Sequence, residues 1–271
     1  MTQHTRTAGR LRRVVASTAA ALAATVLVAG CATGSDPVAP ATGAAPTPKD
    51  ALLAAVPEDT DGRFRFAGKD SDTDLSGLVD PAAKGVELTM AVKDAELGLT
   101  TRMTFRVVSE QVWMKVKFTG GEGLTGLPKL PDRWLELDRA KLTDAEAAPV
   151  WDGADVGNAG PLIEAATAVE EKGDRKYAGT IDLTAGAAAE VLEAEQMTAL
   201  GAAAKAVPFT AEVGPDGNLS RLTLQVPAAG ERKAYAYVVE YSDYGSAPQV
   251  TAPTGAAAQK APKAAYDLLN G

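Results

Sequence analysis

Two residue types that carry much of enzyme chemistry are almost missing from this chain. Its 271 residues hold one histidine, His4, and one cysteine, Cys31. Beyond residue 31 there is no His to act as a base and no Cys to act as a nucleophile or metal ligand, and no G-x-S-x-G occurs. An internal disulfide is excluded by count alone. Aromatic residues make up 5% of the chain, and 27 Lys and Arg face 35 Asp and Glu, a formal net charge of −8. Nucleic-acid binding needs clustered cations on phosphates, so that class is set aside too. Neither catalysis, a metal nor a cofactor is expected.

What is present begins with a leader. Arg6, Arg10, Arg12 and Arg13 precede a run of apolar or small residues from Val14 to Gly30, with no acid among them. That is the layout of a secretory signal. A transmembrane helix is the alternative, but spanning takes about 20 strongly apolar residues. This run is shorter and rich in Ala, Ser and Thr. Val28-Ala29-Gly30-Cys31 closes it and resembles the lipobox of bacterial lipoproteins: an aliphatic residue, two small ones and Cys. The resemblance implies cleavage before Cys31 and lipid attached to its sulfur. Two or three acyl chains hold a protein far more firmly than one. The expected location is therefore the extracytoplasmic face of a cell membrane. Arg12-Arg13 raises twin-arginine export, but its surroundings lack the rest of that pattern, and ordinary secretion is preferred.

Loss of the four leader cations leaves 23 basic residues against 35 acidic ones, or −12. Such a body is not expected to lie on anionic lipid by charge alone, so the anchor carries the attachment. Residues 1–30 are read as signal. Residues 31–50 are read as the lipidated cysteine and an Ala/Pro/Gly/Thr linker too poor in apolar surface to fold. Residues 51–271 are read as one domain.

Within that domain, period-two alternation marks strands over Val86–Val92, Leu99–Val107 and Val112–Phe118, with a shorter one over Arg133–Leu137. Gly160-Pro161 starts a helix with Leu162, Ile163, Ala166 and Val169 on one face, ending near Gly173. Tyr177–Leu183 returns to strand. Thr184 is placed to cap an Ala-rich helix running to about Lys205. Strands over Pro208–Val213 and Leu219–Val226 flank the turn Gly214-Pro215-Asp216-Gly217. Arg232–Tyr241 and a short piece at Gln249-Val250 complete the set. The order predicts an α+β fold, a large antiparallel sheet with helices on one face. A closed barrel is the alternative, and it leaves the helices without a place.

Two motifs fail on context. Gly121-Glu122-Gly123-Leu124-Thr125-Gly126 matches G-x-G-x-x-G, but Pro128 and Pro131 exclude the helix that must follow, so it reads as a loop. Asp70, Asp72 and Asp74 alternate as in a calcium loop, but Leu75 and Pro81 stand where Gly and Glu are needed. They read as a solvated acidic loop. Tyr235, Tyr237 and Tyr241 share one strand parity, and Trp113 lies opposite the main apolar face of its strand. These aromatics read as packing or edge residues, or as a groove lining.

Several segments together resemble a family. They are Val112-Trp113-Met114-Lys115-Val116 with Trp134 following, Tyr177-Ala178-Gly179-Thr180-Ile181-Asp182-Leu183, Val207-Pro208-Phe209, Asp216-Gly217-Asn218-Leu219, and Tyr241-Ser242-Asp243-Tyr244-Gly245. In their order they resemble the actinobacterial LppX/LprAFG-type lipoproteins and, more distantly, LolA-like carriers. The resemblance implies a strongly curved antiparallel half-barrel with helices on its concave face, enclosing an apolar cavity that binds or carries acylated lipid. If the sheet curves so, Met90, Val92, Met103, Phe105, Met114, Val116, Leu222 and Leu224 face inward and line it. The competing reading is an envelope scaffold or accessory module whose core is filled by its own side chains.

Overall fold

The computed structural model describes residues 45–70 and 73–271. The stretch read as a signal, Cys31 and Asp72 lie outside the described residues. Among the described residues no helix is long and apolar enough to cross a membrane.

Helix α1 (Pro48–Leu53) comes first. Thr47 caps it, Asp50 reaches back to the Thr47 backbone, and Pro48 occupies the first turn. Composition alone assigns 48–50 to the linker, but this reciprocal capping makes them helical. Lys49 Nζ then donates to the carbonyls of Glu164 and Ala166 at 2.8 and 3.0 Å.

Two antiparallel meanders make one sheet. The first is β1 (Phe64–Lys69), β2 (Thr73–Asp80), β3 (Gly85–Asp94), β4 (Leu99–Val108), β5 (Gln111–Gly120) and β6 (Trp134–Glu136). The second is β7 (Ala166–Glu171), β8 (Lys176–Ile181), β9 (Val207–Val213), β10 (Leu219–Val226) and β11 (Tyr235–Ser242). Strand β1 pairs with β11 and joins them, and β12 (Ala258–Lys260) lies parallel to β6. The spatial order is β12-β6-β5-β4-β3-β2-β1-β11-β10-β9-β8-β7, an open twelve-stranded sheet with helices against its concave face. This is the expected α+β architecture, and the edges β12 and β7 do not close on each other.

Cross-strand register shows how the core is built, because directly opposed residues share a face. Phe64, Val79, Val86, Val107 and Val112 form one row across β1–β5, and all are buried. The next row is Tyr241, Phe66, Gly77, Leu88, Phe105, Met114 and Leu135. Each of these large side chains contributes roughly 1.5–3 kcal/mol when fully buried. Gly77 is required in that row. A Cβ there would sit 1.8 Å from the Glu87 carbonyl oxygen and 2.7 Å from the Phe66 ring.

The helices depart from expectation. Helix α2 (Ala159–Glu164) covers only the first part of the stretch read as helix, and the chain then turns into β7. Ala166 and Val169 are therefore strand residues. β-branched Thr167 and Val169 suit a strand, and pairing with Gly179 of β8 satisfies the Val169 backbone as a helix would, with Thr167 at a bulge. The Ala-rich segment is broken as well. A 3-10 turn over Gly186–Glu190 precedes α3 (Ala194–Leu200), and a second spans Gly201–Ala206. Gly201 has φ of 52°, which ends α3. Thr184 does not cap; its hydroxyl and amide both donate to Asp182. Alanine favours a helix but buries too little surface to hold a long one against the sheet. The chain ends in α4 (Lys263–Asn270), which the sequence reading missed along with β1 and β2.

Other apolar residues are buried away from that core. Trp113, Trp134, Ala247 and Val250 are buried but lie apart from the main core. Val250 is not in a strand as expected. It packs over Gly85, and its amide donates to the buried Asp80 carboxylate at 3.1 Å. Arg106 donates to the Thr251 carbonyl and stacks on Trp134 at 4.4 Å. The C-terminal segment thus crosses the back of β2–β4. Trp113, beside Arg106 and Glu136 in register on that same face, is buried as well.

Candidate functional site

The register places all eight inward candidates on one face. Met90 pairs with Met103 and Met103 with Val116, while Phe105 pairs with Met114. Leu222 and Leu224 oppose Val239 and Tyr237, and Val239 continues through Gly68 and Leu75 to Met90. Burial then divides the eight. Phe105, Met114, Leu222 and Leu224 are at most 2% exposed and belong to the packed core. They touch protein on all sides and leave no room for a ligand at those positions. Met90, Val92, Met103 and Val116 are half-buried.

These four lie on a largely apolar strip toward the far ends of β2–β5. Leu75, Met90, Met103 and Val116 form its inner row, and Thr73, Val92, Thr101 and Phe118 the next, every one half-buried. At the far end Leu99 is buried outside the main core. Side-chain atoms of Leu99 and Leu124 both come within 3.1 Å of where a Gly121 Cβ would stand, so the loop after β5 folds over that end. This is the glycine-rich loop. Gly121, Gly123 and Gly126 all have positive φ, and no helix follows them. It carries Leu124, Leu127 and Leu130, all half-buried.

No cation faces the strip from β1–β5. Arg65, Lys69, Lys93, Arg102, Arg106, Lys115 and Lys117 all occupy outward positions in the register. The polar groups near its β11 side belong to the loop before α2. There the Asp155 carboxylate accepts the amides of Ala159 and Gly160 at 2.9 and 2.7 Å and the Tyr241 hydroxyl at 3.2 Å. Asn158, the residue before α2, makes no side-chain cap, so Asp155 does that work from three residues upstream. Burial raises the Asp155 carboxyl above the ordinary aspartate value, against the pull of those three donors. Burial and then the Asp155 charge likewise push the Tyr237 and Tyr241 hydroxyls far up, so both remain protonated donors. Tyr235 accepts from Gln196 of α3 at 2.6 Å. The three tyrosines of β11 thus pin helix and loop to the sheet.

Elsewhere, Asp70 accepts the Thr73 amide and Asp74 stands 3.9 Å from Lys93, so both carboxylates have protein partners. A surface cleft of about 590 Å³ lies between β5, β6 and α4. Its charged walls are largely paired among themselves, with Lys260 on Glu136 at 2.6 Å and Lys141 on Asp138 at 3.7 Å. Sequence reading missed Leu75, Thr73 and Thr101 in the strip. The Thr73-Leu75-Gly77-Val79 alternation was the available signal for β2. Asp155 had no comparable signal, since an acidic residue before a helix is common. No family model matches the chain, and no curated protein matches it.

Proposed function

We propose that this chain is an extracytoplasmic lipoprotein, anchored to a cell membrane through lipid on Cys31, that holds an acyl chain along the half-exposed strip of β2–β5. The anchor rests on Val28-Ala29-Gly30-Cys31 at the end of its apolar run. The ligand reading rests on one observation. The inward rows are sealed at Phe105 and Met114 but stay open from Leu75 to Val116, where two flexible methionines meet. An open apolar row without a cation suits hydrocarbon, and methionine adapts to irregular apolar partners. The test is native mass spectrometry of protein purified from its own membrane, which should reveal a co-purifying acylated lipid. Phe105, Met114, Leu222 and Leu224 favour the second reading, a scaffold with a self-filled core, and lipid-free protein that also ignores acyl probes would establish it.

A further inference from the structure

We propose that the outer face of β4 and β5 is a docking surface for anionic phospholipid headgroups, contacted by Arg102, Lys115 and Lys117. The setting rests on the anchor reading above; the surface itself rests on charge placement. Arg102 sits directly opposite Lys117 across the two strands, and like charges so placed work against the sheet. Lys115, opposite Thr104, adds a third cation two residues along on the same face. Among the described residues none of the three has a carboxylate partner. The nearby carboxylates are taken: Asp74 by Lys93 and Glu87 by Arg106. Lys115 has only the Trp134 ring, 5.1 Å away.

A sheet arranged for stability alone would oppose Arg102 with an acid. Instead, an acidic chain concentrates unpaired cations at one spot, which is complementary to an anionic plane. The net charge of the body does not cancel this. At physiological ionic strength charges beyond about 8 Å are largely screened, so adjacent cations act together while distant acids do not. Nor does the tether choose another face. Residues 31–45 reach at most about 50 Å when extended. A domain of about 220 residues has a radius of gyration near ~17 Å. Every face can therefore meet the bilayer, and charge selects among them. With the outer face down, the acyl strip on the opposite face points away from the bilayer.

The experiment uses the chain without its leader and with Cys31→Ser, so that no acyl anchor contributes. Flotation is compared on vesicles of phosphatidylcholine and on vesicles of equal parts phosphatidylcholine and phosphatidylglycerol. The protein should float with the anionic vesicles only, less so as salt rises, and about five-fold less for each cation removed. Arg102→Glu places an acid opposite Lys117, so the fold is kept by construction while binding falls more than five-fold. Lys205→Glu makes the same charge change on an exposed residue far along the chain and should leave flotation unchanged. The proposal is overturned by no flotation at physiological salt, where distant acids are screened, by Arg102→Glu floating as wild type, or by Lys205→Glu losing as much. Retention on heparin without vesicle binding would assign the face to a polyanion and overturn it equally. The anchor reading fails separately, through an unmodified Cys31 in wild-type protein.

Discussion

A tryptophan in place of Thr101 should weaken acyl binding several-fold while leaving the fold intact. Thr101 is half-buried on the strip, between Val92 and Phe118 in register. A strand accepts tryptophan well, so the stability change should stay within about 0.5 kcal/mol. Each CH₂ taken out of water contributes about 0.8 kcal/mol. On an open sheet each is about half buried, so an indole that displaces three methylenes removes about 1.2 kcal/mol, roughly eight-fold in affinity. The same arithmetic limits the ligand. A chain lying on an open sheet buries about half its surface, so eight carbons supply roughly 3 kcal/mol, short of the ~4 kcal/mol of a millimolar complex. Useful affinity requires a chain that follows the row across β2–β5, roughly 15 Å at the usual strand spacing. Otherwise the loop bearing Leu124, Leu127 and Leu130 must fold over it. Met114→Ala is the contrasting variant: it opens the packed core, costs about 2–5 kcal/mol, and leaves the strip untouched. Titration with a fluorescent fatty acyl probe, alongside urea unfolding, reads both quantities. If folded Thr101→Trp binds the probe within two-fold of wild type, the ligand does not lie on the strip. If wild type binds none, the scaffold reading stands.

Wild-type mature protein should carry acyl groups on Cys31 by intact mass, and an unmodified thiol there refutes the anchor. Gly77→Ala should cost about 3 kcal/mol in urea unfolding, because the new methyl meets the Glu87 carbonyl and the Phe66 ring, and a neutral result would show that the sheet yields there. Burial lifts the Asp155 carboxyl, so the native state favours its protonated form. Its contribution is present below the ordinary aspartate value of 3.8 and is lost as pH rises through the raised one. Asp155→Asn should flatten that part of the stability–pH curve while losing about 1 kcal/mol of helix capping, and an unchanged slope would refute the assignment.

Side-chain parity was legible because it is local. Alternation at Met90 and Val92, or at Met103 and Phe105, needs only the neighbouring residues, and one continuous sheet carries it from β5 to β10. Depth was not legible, because it depends on what lies opposite. Helix α1 packs on α2 and β7, at the other end of the sheet from β5. The two helices expected to roof the sheet shrank to six and seven residues. Within the two stretches read as long helices, Ala166 starts β7 and Ala203 is an exposed residue of a 3-10 turn, so neither stands on a helix over the strip. The same reasoning applies to the back of the sheet. Trp113 has outward parity, yet it is buried, and on that same face residues 250–251, far away in the chain, bond to Asp80 and Arg106. Where the strap ends, Arg102 and Lys117 remain uncovered beyond it. One outward row therefore holds both a sealed tryptophan cluster and an open basic stripe. An average over the chain, whether of charge or of apolarity, erases that division.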